Sequence, residues 1–271
     1  MSRPWHPSPF LWCFAVAHLG AVGVLIANWH YWPQALIGLM VLHAIATFAG
    51  LWPKSRLLGP NCLRLPDEAT RKKHLALTFD DGPDPEITPA VLDLLARHGA
   101  RATFFCIGAR AARHPEIVAR IVAEGHAVEN HSQHHRHIFS LFGPSRMAAE
   151  IAAAQTTLTA LSGTPPRFFR APAGLRNLFL APILCRLGLH LTTWTRRGFD
   201  TREADPAKVL TRLTQNLAAG DILLLHDGSS ARDAAGQPVV LTVLPALLAT
   251  IADKGLVSIP LPEALPPADH E

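Results

Sequence analysis

The chain has 271 residues, of which 49% are hydrophobic and 17% charged, and it carries a formal net charge of +4. This charged share is below the roughly 25% of ordinary soluble domains, so the composition predicts one medium-sized domain together with an unusually apolar segment. The cysteines are far apart in the sequence, which argues against a disulfide-rich scaffold and against a cysteine-ligated metal site; they are Cys13, Cys62, Cys106 and Cys185.

Two apolar stretches lie at the beginning of the chain. Residues 9–28 and 33–52 contain no formal charge, and each is close to the length that crosses about 30 Å of hydrocarbon as a helix. The aromatic link Trp29-His30-Tyr31-Trp32 suits a tight hairpin at a membrane interface. A signal peptide is the alternative for the first stretch, but its apolar region is long and a second span follows directly. We therefore expect residues 1–56 to form a two-helix transmembrane anchor.

The charges that flank this anchor predict its orientation. Arg3 precedes the first span, and Lys54, Arg56 and Arg64 follow the second, whereas the link between the spans has no charge. By the positive-inside rule, both ends face the cytoplasm. The expectation is a multi-pass protein of a bacterial-type inner (cytoplasmic) membrane that contacts membrane lipid, with its C-terminal domain on the cytoplasmic side. The periplasmic side is the alternative.

The rest of the chain divides into a linker over residues 57–71, a domain over residues 72–264 and a tail over residues 265–271. Helix-opening and helix-closing residues predict three helices, from Thr88 to Gly99, from Pro115 to Gly125 and from Ser145 to Gly163. Strand-like runs alternate with the helical segments over residues 74–80, 102–107, 127–131, 167–171, 189–195, 221–226 and 256–260. This alternation predicts an α/β fold with a parallel sheet. A distorted (β/α) barrel of about seven parallel strands fits better than a doubly wound sheet, because no glycine-rich nucleotide motif follows the first strand.

Polar and charged residues follow five of the predicted strands. These strand ends carry Asp80-Asp81, the segment from His131 to His137, the segment from Arg170 to Gly174, the segment from Trp194 to Asp200, and His226-Asp227. An isolated Asp-Asp-Gly-Pro is more often a solvated turn than a functional site. Barrel enzymes, however, place their catalytic residues at the carboxyl ends of the strands, so the five ends together predict an active site.

Four short motifs resemble those of the polysaccharide deacetylase family, the NodB-homology carbohydrate esterases. The resemblance covers about residues 72 to 262, and its motifs are Thr78-Phe79-Asp80-Asp81-Gly82, His131-Ser132-x-x-His135, Arg170-x-Pro172-x-Gly174 and Leu223-x-Leu225-His226. It implies that Asp81, His131 and His135 hold a divalent metal ion. It also implies that Asp80 is the general base and His226 the general acid.

The same resemblance assigns supporting roles to further residues. Arg170 would orient Asp80 through a charge-assisted hydrogen bond. Asp200 would orient His226, and the backbone N–H of Ala173 would bind the oxyanion. Two positions depart from the family pattern: Ala173 stands where tyrosine is usual, and Thr201 follows Asp200 where tryptophan is usual. Both departures predict the loss of a wall that would face the sugar.

The implied ligand set has its own chemical logic. Two imidazoles and one carboxylate leave a coordination position open, which is typical of catalytic rather than structural zinc. His131 and His135 are four residues apart, so one helical turn beyond the strand would direct both toward one point. We expect one divalent ion, with zinc preferred, although affinity order does not determine which metal a cell loads. His134 and His137 are the competing ligands, and His135 is favoured over them.

The predicted reaction is the metal-dependent removal of an acetyl or other short acyl group from the nitrogen of an amino sugar. One alternative keeps the chemistry but acts on an O-acetyl ester or a non-sugar amide. Another is a non-catalytic, membrane-tethered carbohydrate-binding protein, which is disfavoured because Asp80 and His226 are both present.

The substrate prediction combines the expected topology with charge. A deacetylase on the cytoplasmic face would meet a sugar that is still attached to a membrane carrier, so we expect an N-acylated amino sugar linked to polyprenyl phosphate. Arginines in the loops after the strands would bind the phosphate; they are Arg136, Arg176, Arg196, Arg197 and Arg202. Of these, Arg196 and Arg197 are predicted together with Trp194 to contact the substrate. The alternative is that the arginines solvate the rim or meet anionic lipid headgroups. No nucleic-acid partner and no obligate protein partner is expected.

Overall fold

The computed structural model describes residues 5–265, so Arg3 and residues 266–271 of the predicted tail lie outside the described residues. Its first two elements are long apolar helices, α1 (Pro9–Ala27) and α2 (Trp32–Leu51), joined by a 3-10 turn at Trp29–Tyr31. The side chain of Ser8 caps α1 by accepting a hydrogen bond from the Leu11 N–H. By length and composition, each helix is able to cross a membrane, and the apolar window of α1 is unburied. The predicted two-helix hairpin is therefore present.

The remaining elements alternate between strands and helices. The helices are α3 (Asp67–Arg71), α4 (Ile87–Arg97), α5 (Gly108–Ala111), α6 (Pro115–Ala123), α7 (Pro144–Ser162), α8 (Leu180–Arg186), α9 (Pro206–Thr214), α10 (Val239–Asp253) and α11 (Leu261–Ala264). The strands are β1 (His74–Asp80), β2 (Ala102–Cys106), β3 (Ala127–Asn130), β4 (Phe168–Phe169), β5 (His190–Leu191), β6 (Arg196–Arg197), β7 (Ile222–His226) and β8 (Val257–Ser258).

The strands form one curled parallel sheet. Their order is β5-β4-β3-β2-β1-β7-β6, and β8 pairs with the beginning of β1. The prediction of a distorted barrel with about seven parallel strands is confirmed. The sequence predicted one strand over residues 189–195 and did not predict β6. In the structure the chain leaves the sheet after β5 and returns to it at β6. Between these two strands, Thr192 and Thr193 pair with the linker, and Thr195 donates to the Ile222 carbonyl of β7.

The main core lies between the central strands and the outer helices. In β1, Leu75, Leu77 and Phe79 are fully buried against side chains of α4, α6 and α10. A strand with helices on the outside and packed side chains on the inside is buried on both faces, which explains its almost continuous apolar run. Thr78 is the polar exception, and its hydroxyl donates to the Leu223 carbonyl at 2.7 Å. This packing fixes the end of β1, where the two aspartates lie.

The segment that follows α2 is packed onto the barrel. Cys62 bridges to Thr192, since the Cys62 N–H donates to the Leu191 carbonyl at 2.9 Å and the Thr193 N–H donates to the Cys62 carbonyl at 3.0 Å. The linker thus occupies the edge of the sheet beside β5.

The end of α2 contacts the loop that follows β4. The Arg176 N–H donates to the Gly50 carbonyl at 3.1 Å, and the Arg176 guanidinium donates to the Ser55 carbonyl. Gly50 allows this approach, because a side chain there would overlap the Arg176 carbonyl. Nearby, Lys54 donates to the Thr195 carbonyl at 2.8 Å. The anchor is therefore fixed against the loops at the carboxyl ends of the strands.

Candidate active site

A cavity of about 610 Å³ opens at the carboxyl ends of the strands. It brings together residues that are far apart in the chain, including Asp80 and Asp81 after β1, His131 and His135 after β3, and His226 at the end of β7. The predicted convergence of these strand ends is observed. A second, more open concavity between residues 203–206 and 232–235 contains none of these residues.

Asp81, His131 and His135 form a compact group of potential metal ligands. One ligand atom from each residue lies within 4.8 Å of the other two. The Oδ1 atom of Asp81 is 3.3 Å from Nε2 of His131 and 3.2 Å from Nε2 of His135. This oxygen is buried without a hydrogen-bond partner among the described residues. A buried carboxylate oxygen that faces two imidazole nitrogens fits a divalent cation.

The backbone presents these ligands differently from the prediction. The predicted helical turn from His131 to His135 is wrong: the segment is a loop in which Ser132 and His135 have φ values of 64° and 49°. The loop is tied to neighbouring helices, because the N–H groups of Gly108 and Ala109 donate to its carbonyls. The two histidines therefore converge through a loop that α5 holds in place.

Hydrogen bonds orient the individual ligands. Nδ1 of His131 lies 2.8 Å from the Arg170 carbonyl, which leaves Nε2 directed toward Asp81. A backbone carbonyl is a common partner for the second nitrogen of a ligating histidine. The competing residue His134 lines the cavity but is outside the ligand group, and its Nδ1 atom lies 2.8 Å from Glu150. His137 contacts the ring of His135 at a centroid distance of 6.2 Å.

The electrostatics of Asp81 and His135 suit metal binding. Burial opposes the negative charge of Asp81, but the close contact with His131 and the charge of His135 lower the pKa of the carboxyl below its usual range. Burial and the neighbouring charge of His131 lower the pKa of His135 to about 4. A carboxylate and a neutral imidazole are the forms that bind a metal.

Asp80 lies beside this group but has a different partner. Its Oδ1 atom accepts a hydrogen bond from the Arg170 guanidinium at 2.6 Å, and both side chains are buried. The same guanidinium donates to the Thr78 hydroxyl at 2.7 Å and to the Thr193 carbonyl at 2.9 Å. Arg170 is thus held by several hydrogen bonds, and its charge-assisted bond fixes the orientation of the Asp80 carboxyl.

His226 and Asp200 form a second buried pair. Nδ1 of His226 lies 2.9 Å from Oδ1 of Asp200, and the His226 N–H donates to Oδ2 at 2.8 Å. Burial alone would lower the pKa of His226, but the charge and hydrogen bond of Asp200 raise it above its ordinary value. The imidazole is therefore oriented and biased toward its protonated form.

The other predicted substrate residues are divided between the cavity and the protein interior. Ala173, Trp194 and Arg197 line the cavity, and the Arg197 guanidinium lies 5.2 Å from the centre of the Trp194 ring. Ala173 is exposed, with a φ of 55°. Its neighbour Gly174 packs closely against Trp194 and Pro53.

Two of the predicted arginines do not line the cavity. Arg196 forms an ion pair with the buried Asp221 and donates to the carbonyls of Gln215 and Asn216, so its predicted contact with substrate is not supported. Arg176 is buried against the end of α2 instead. In a short strand, adjacent side chains point to opposite faces, which separates Arg196 from Arg197.

The sequence interpretation missed two cavity arginines, Arg110 and Arg113. Arg110 donates 2.8 Å hydrogen bonds to the carbonyls of Asp81 and Gly228, and thus joins the loops after β1 and β7. Both arginines belong to the segment after β2, the central strand of the sheet, whose end carries none of the predicted site residues. Their position a few residues beyond a strand end was the available signal.

Comparison with known proteins places this site in a family. The polysaccharide deacetylase family profile matches residues 67–192. A chitooligosaccharide deacetylase from Bradyrhizobium is 34% identical over 194 residues, which are 69% of this chain and 88% of that protein. A peptidoglycan-N-acetylglucosamine deacetylase from Bacillus cereus is 34% identical over 59% of this chain and 76% of that protein.

A solved structure also shows the similarity in three dimensions. It is a family 4 carbohydrate esterase from Streptomyces lividans in complex with acetate, with 32% identity and a TM-score of 0.62. The alignment covers 69% of this chain and 91% of that chain. Since the relatives are matched over most of their length, the chain belongs to the polysaccharide deacetylase family of NodB-homology carbohydrate esterases.

Proposed function

We propose that this protein is a metal-dependent hydrolase that removes an N-acetyl or other short acyl group from an amino sugar. The proposal depends chiefly on one observation: a single cavity contains the Asp81, His131 and His135 group, a carboxylate held by Arg170, and an imidazole held by Asp200. The activities named for its relatives, on chitooligosaccharide and on peptidoglycan N-acetylglucosamine, support the same reaction class.

In this proposal, a divalent ion held by Asp81, His131 and His135 would polarise the acyl carbonyl and lower the pKa of water at the site. Asp80, oriented by Arg170, accepts the proton that the attacking water loses. The backbone N–H of Ala173 donates to the carbonyl oxygen as negative charge develops on it.

His226 completes the reaction. In its protonated form, it donates a proton to the sugar nitrogen while the bond between that nitrogen and the acyl carbon breaks. Asp200 holds the imidazole so that Nε2 is the donor. The products are the free amine of the sugar and acetate, or the corresponding short carboxylate.

The first test is acetate release by the purified, metal-loaded protein. We expect release from N-acetylated chitooligosaccharides, peptidoglycan fragments or a polyprenyl-phosphate-linked N-acetyl sugar, together with one bound divalent ion per chain. The Asp80→Asn variant is the control, since it keeps all three ligands. Release from O-acetylated sugars alone would contradict the proposal and favour the esterase alternative.

The finer part of the proposal is that the sugar is linked to polyprenyl phosphate. Three cavity arginines, Arg113, Arg136 and Arg202, have no ion-pair partner among residues 5–265, and the only carboxylates lining the cavity are Asp80 and Asp81. Guanidinium groups without a carboxylate partner suit phosphate oxygens. The docked anchor also supports a substrate that remains at the membrane.

A comparison of substrates tests this finer part. We expect faster deacylation of the lipid-linked sugar than of a chitooligosaccharide, and we expect Arg136→Ala and Arg202→Ala to lower only the rate on the lipid-linked sugar. Arg97→Ala is the matched control, because Arg97 is exposed at the end of α4, away from the cavity. A higher rate on the soluble glycan, unchanged in both arginine variants, would contradict the lipid-linked proposal but leave the deacetylase proposal intact.

A further inference from the structure

Large apolar side chains are exposed near the cavity. Beyond residue 57, six exposed large hydrophobic residues are found in the described chain, and three of them lie in the loops after β3 and β4. Leu141 is 80% exposed, Ile138 is 52% exposed and Phe179 is 42% exposed. We call these three residues the apolar loop patch. Apolar groups concentrated at one end of a protein mark an interaction surface.

Hydrogen bonds connect this patch to the end of the anchor. Asn177 donates to the carbonyls of Ser140 and Phe142, both at 3.0 Å, and accepts from the Phe179 N–H at 3.0 Å. The two loops are therefore held together around one side chain. The residue before Asn177 is Arg176, which binds the Gly50 and Ser55 carbonyls. The apolar loop patch therefore lies next to the loop against which the end of α2 packs.

The charge of these loops suits an anionic membrane. Residues 131–149 and residues 171–199 contain no aspartate or glutamate, although both segments contain arginine. Arg136 and Arg146 are exposed on the loop after β3 and in the first turn of α7. The combination of exposed apolar side chains with arginines and without acids is typical of surfaces that lie in the interface of a bilayer.

We propose that the apolar loop patch lies in the headgroup region of the bilayer that α1 and α2 span, so that the cavity is held at the membrane surface. This inference rests on the membrane anchoring that is part of the proposed function. An amphiphilic substrate would then reach Asp80 and His226 while its lipid part remains in the membrane.

The test places a photocrosslinking amino acid, p-benzoylphenylalanine, at single positions of the full chain in vesicles of phosphatidylethanolamine and phosphatidylglycerol. Position 141 is the test site, and position 179 is a second test site in case one variant fails to fold. Position 26 in α1, 82% exposed, is the positive control for anchoring. Position 257 is the matched negative control, because Val257 is 51% exposed and pairs with the beginning of β1, at the opposite end of the barrel.

We expect lipid adducts, detected by mass spectrometry, at positions 26, 141 and 179 and none at position 257. Adducts at position 26 without adducts at 141 and 179 would overturn the inference and leave the membrane anchor intact. Absence of adducts at all positions would overturn both. Equal labelling at 141 and 257 would also overturn it, because lipid contact would then not be specific to the catalytic end.

Discussion

Asp80 and Asp81 are adjacent in the chain, but they contact different partners. Asp80 ends β1 and meets Arg170 inside the barrel, whereas Asp81 has a φ of 73° and has left the strand conformation. The carboxyl of Asp81 therefore faces His131 and His135 instead of the opposite side of a strand. The change in backbone conformation at one residue separates the proposed base from the proposed metal ligand.

Removal of one imidazole should remove the metal. We expect His131→Ala to lose the bound ion and the activity together while the protein stays folded, because two ligands are left. Metal analysis and circular dichroism measure this. His137→Ala is the matched control, since His137 lies on the same loop and is not part of the ligand group. Full metal content in His131→Ala would show that the assignment of the ligand is wrong.

The proposed base and acid should be separable from metal binding. Asp80→Asn and His226→Ala are each expected to retain the ion and to lose turnover by about a hundredfold or more, the scale of a general acid–base group. Steady-state acetate release and metal content are measured on the same samples. If either variant kept a near-normal rate, that residue would have no place in the mechanism.

The pair of His226 and Asp200 predicts the alkaline side of the pH profile. A general acid must be protonated, so kcat/KM should fall as the pH rises through the raised pKa of His226. Asp200→Asn removes the charge that raises this pKa, and the alkaline limb should move to lower pH. The measurement is kcat/KM against pH for both proteins. An unmoved limb would assign it to another group.

The site residues that could be predicted from the sequence are those that stand directly at the carboxyl end of a strand. Asp81, His131 and His135 come together because the carboxyl ends of parallel strands meet at one side of a barrel. Arg196 lies outside the cavity for a conformational reason: the register of β6 against β7 directs its side chain to Asp221. Arg110 was missed because residues 107–113, directly after β2, contain no acid and no histidine.

At the scale of elements, the bounds of the long strands were predictable, whereas the short strands were predicted too long. β1, β2 and β7 are buried apolar runs of at least five residues, and their predicted and observed bounds nearly agree. β4 and β5 have two residues each: Arg170, after β4, contacts Asp80 through its side chain, and Thr192, after β5, pairs through its backbone with Cys62 of the linker. Such contacts join distant parts of the chain and leave no local pattern.

The contact between α2 and the barrel predicts an effect on stability. Gly50→Ala should lower the free energy of unfolding by about 1–3 kcal/mol, the usual cost of overpacking, because the added methyl group overlaps the Arg176 carbonyl. Gly38→Ala is the matched control in the same helix, since no described atom lies within 4 Å of a side chain placed there. Thermal unfolding of both variants in detergent compares them. Equal midpoints would mean that α2 is not docked on the barrel.

At the scale of the whole molecule, the charges near the two ends of the anchor predict its orientation. Lys54, Arg56 and Arg64 follow α2, so we expect the barrel on the cytoplasmic side. Alkaline phosphatase, which is active only after export, should be inactive when fused to the C-terminus and active when fused after Tyr31 in the hairpin. A fluorescent protein that matures in the cytoplasm should give the reverse pattern. An active C-terminal phosphatase fusion would place the barrel in the periplasm.

The bridge between Cys62 and Thr192 has a consequence for the order of events during synthesis. The two residues pair side by side although a large part of the barrel separates them in the chain. Because translation proceeds from the N-terminus, the ribosome has produced both apolar helices long before Thr192 emerges. The linker is therefore already synthesised when β5 forms, so it is available to cover that edge of the sheet before β7 and β8 join β1.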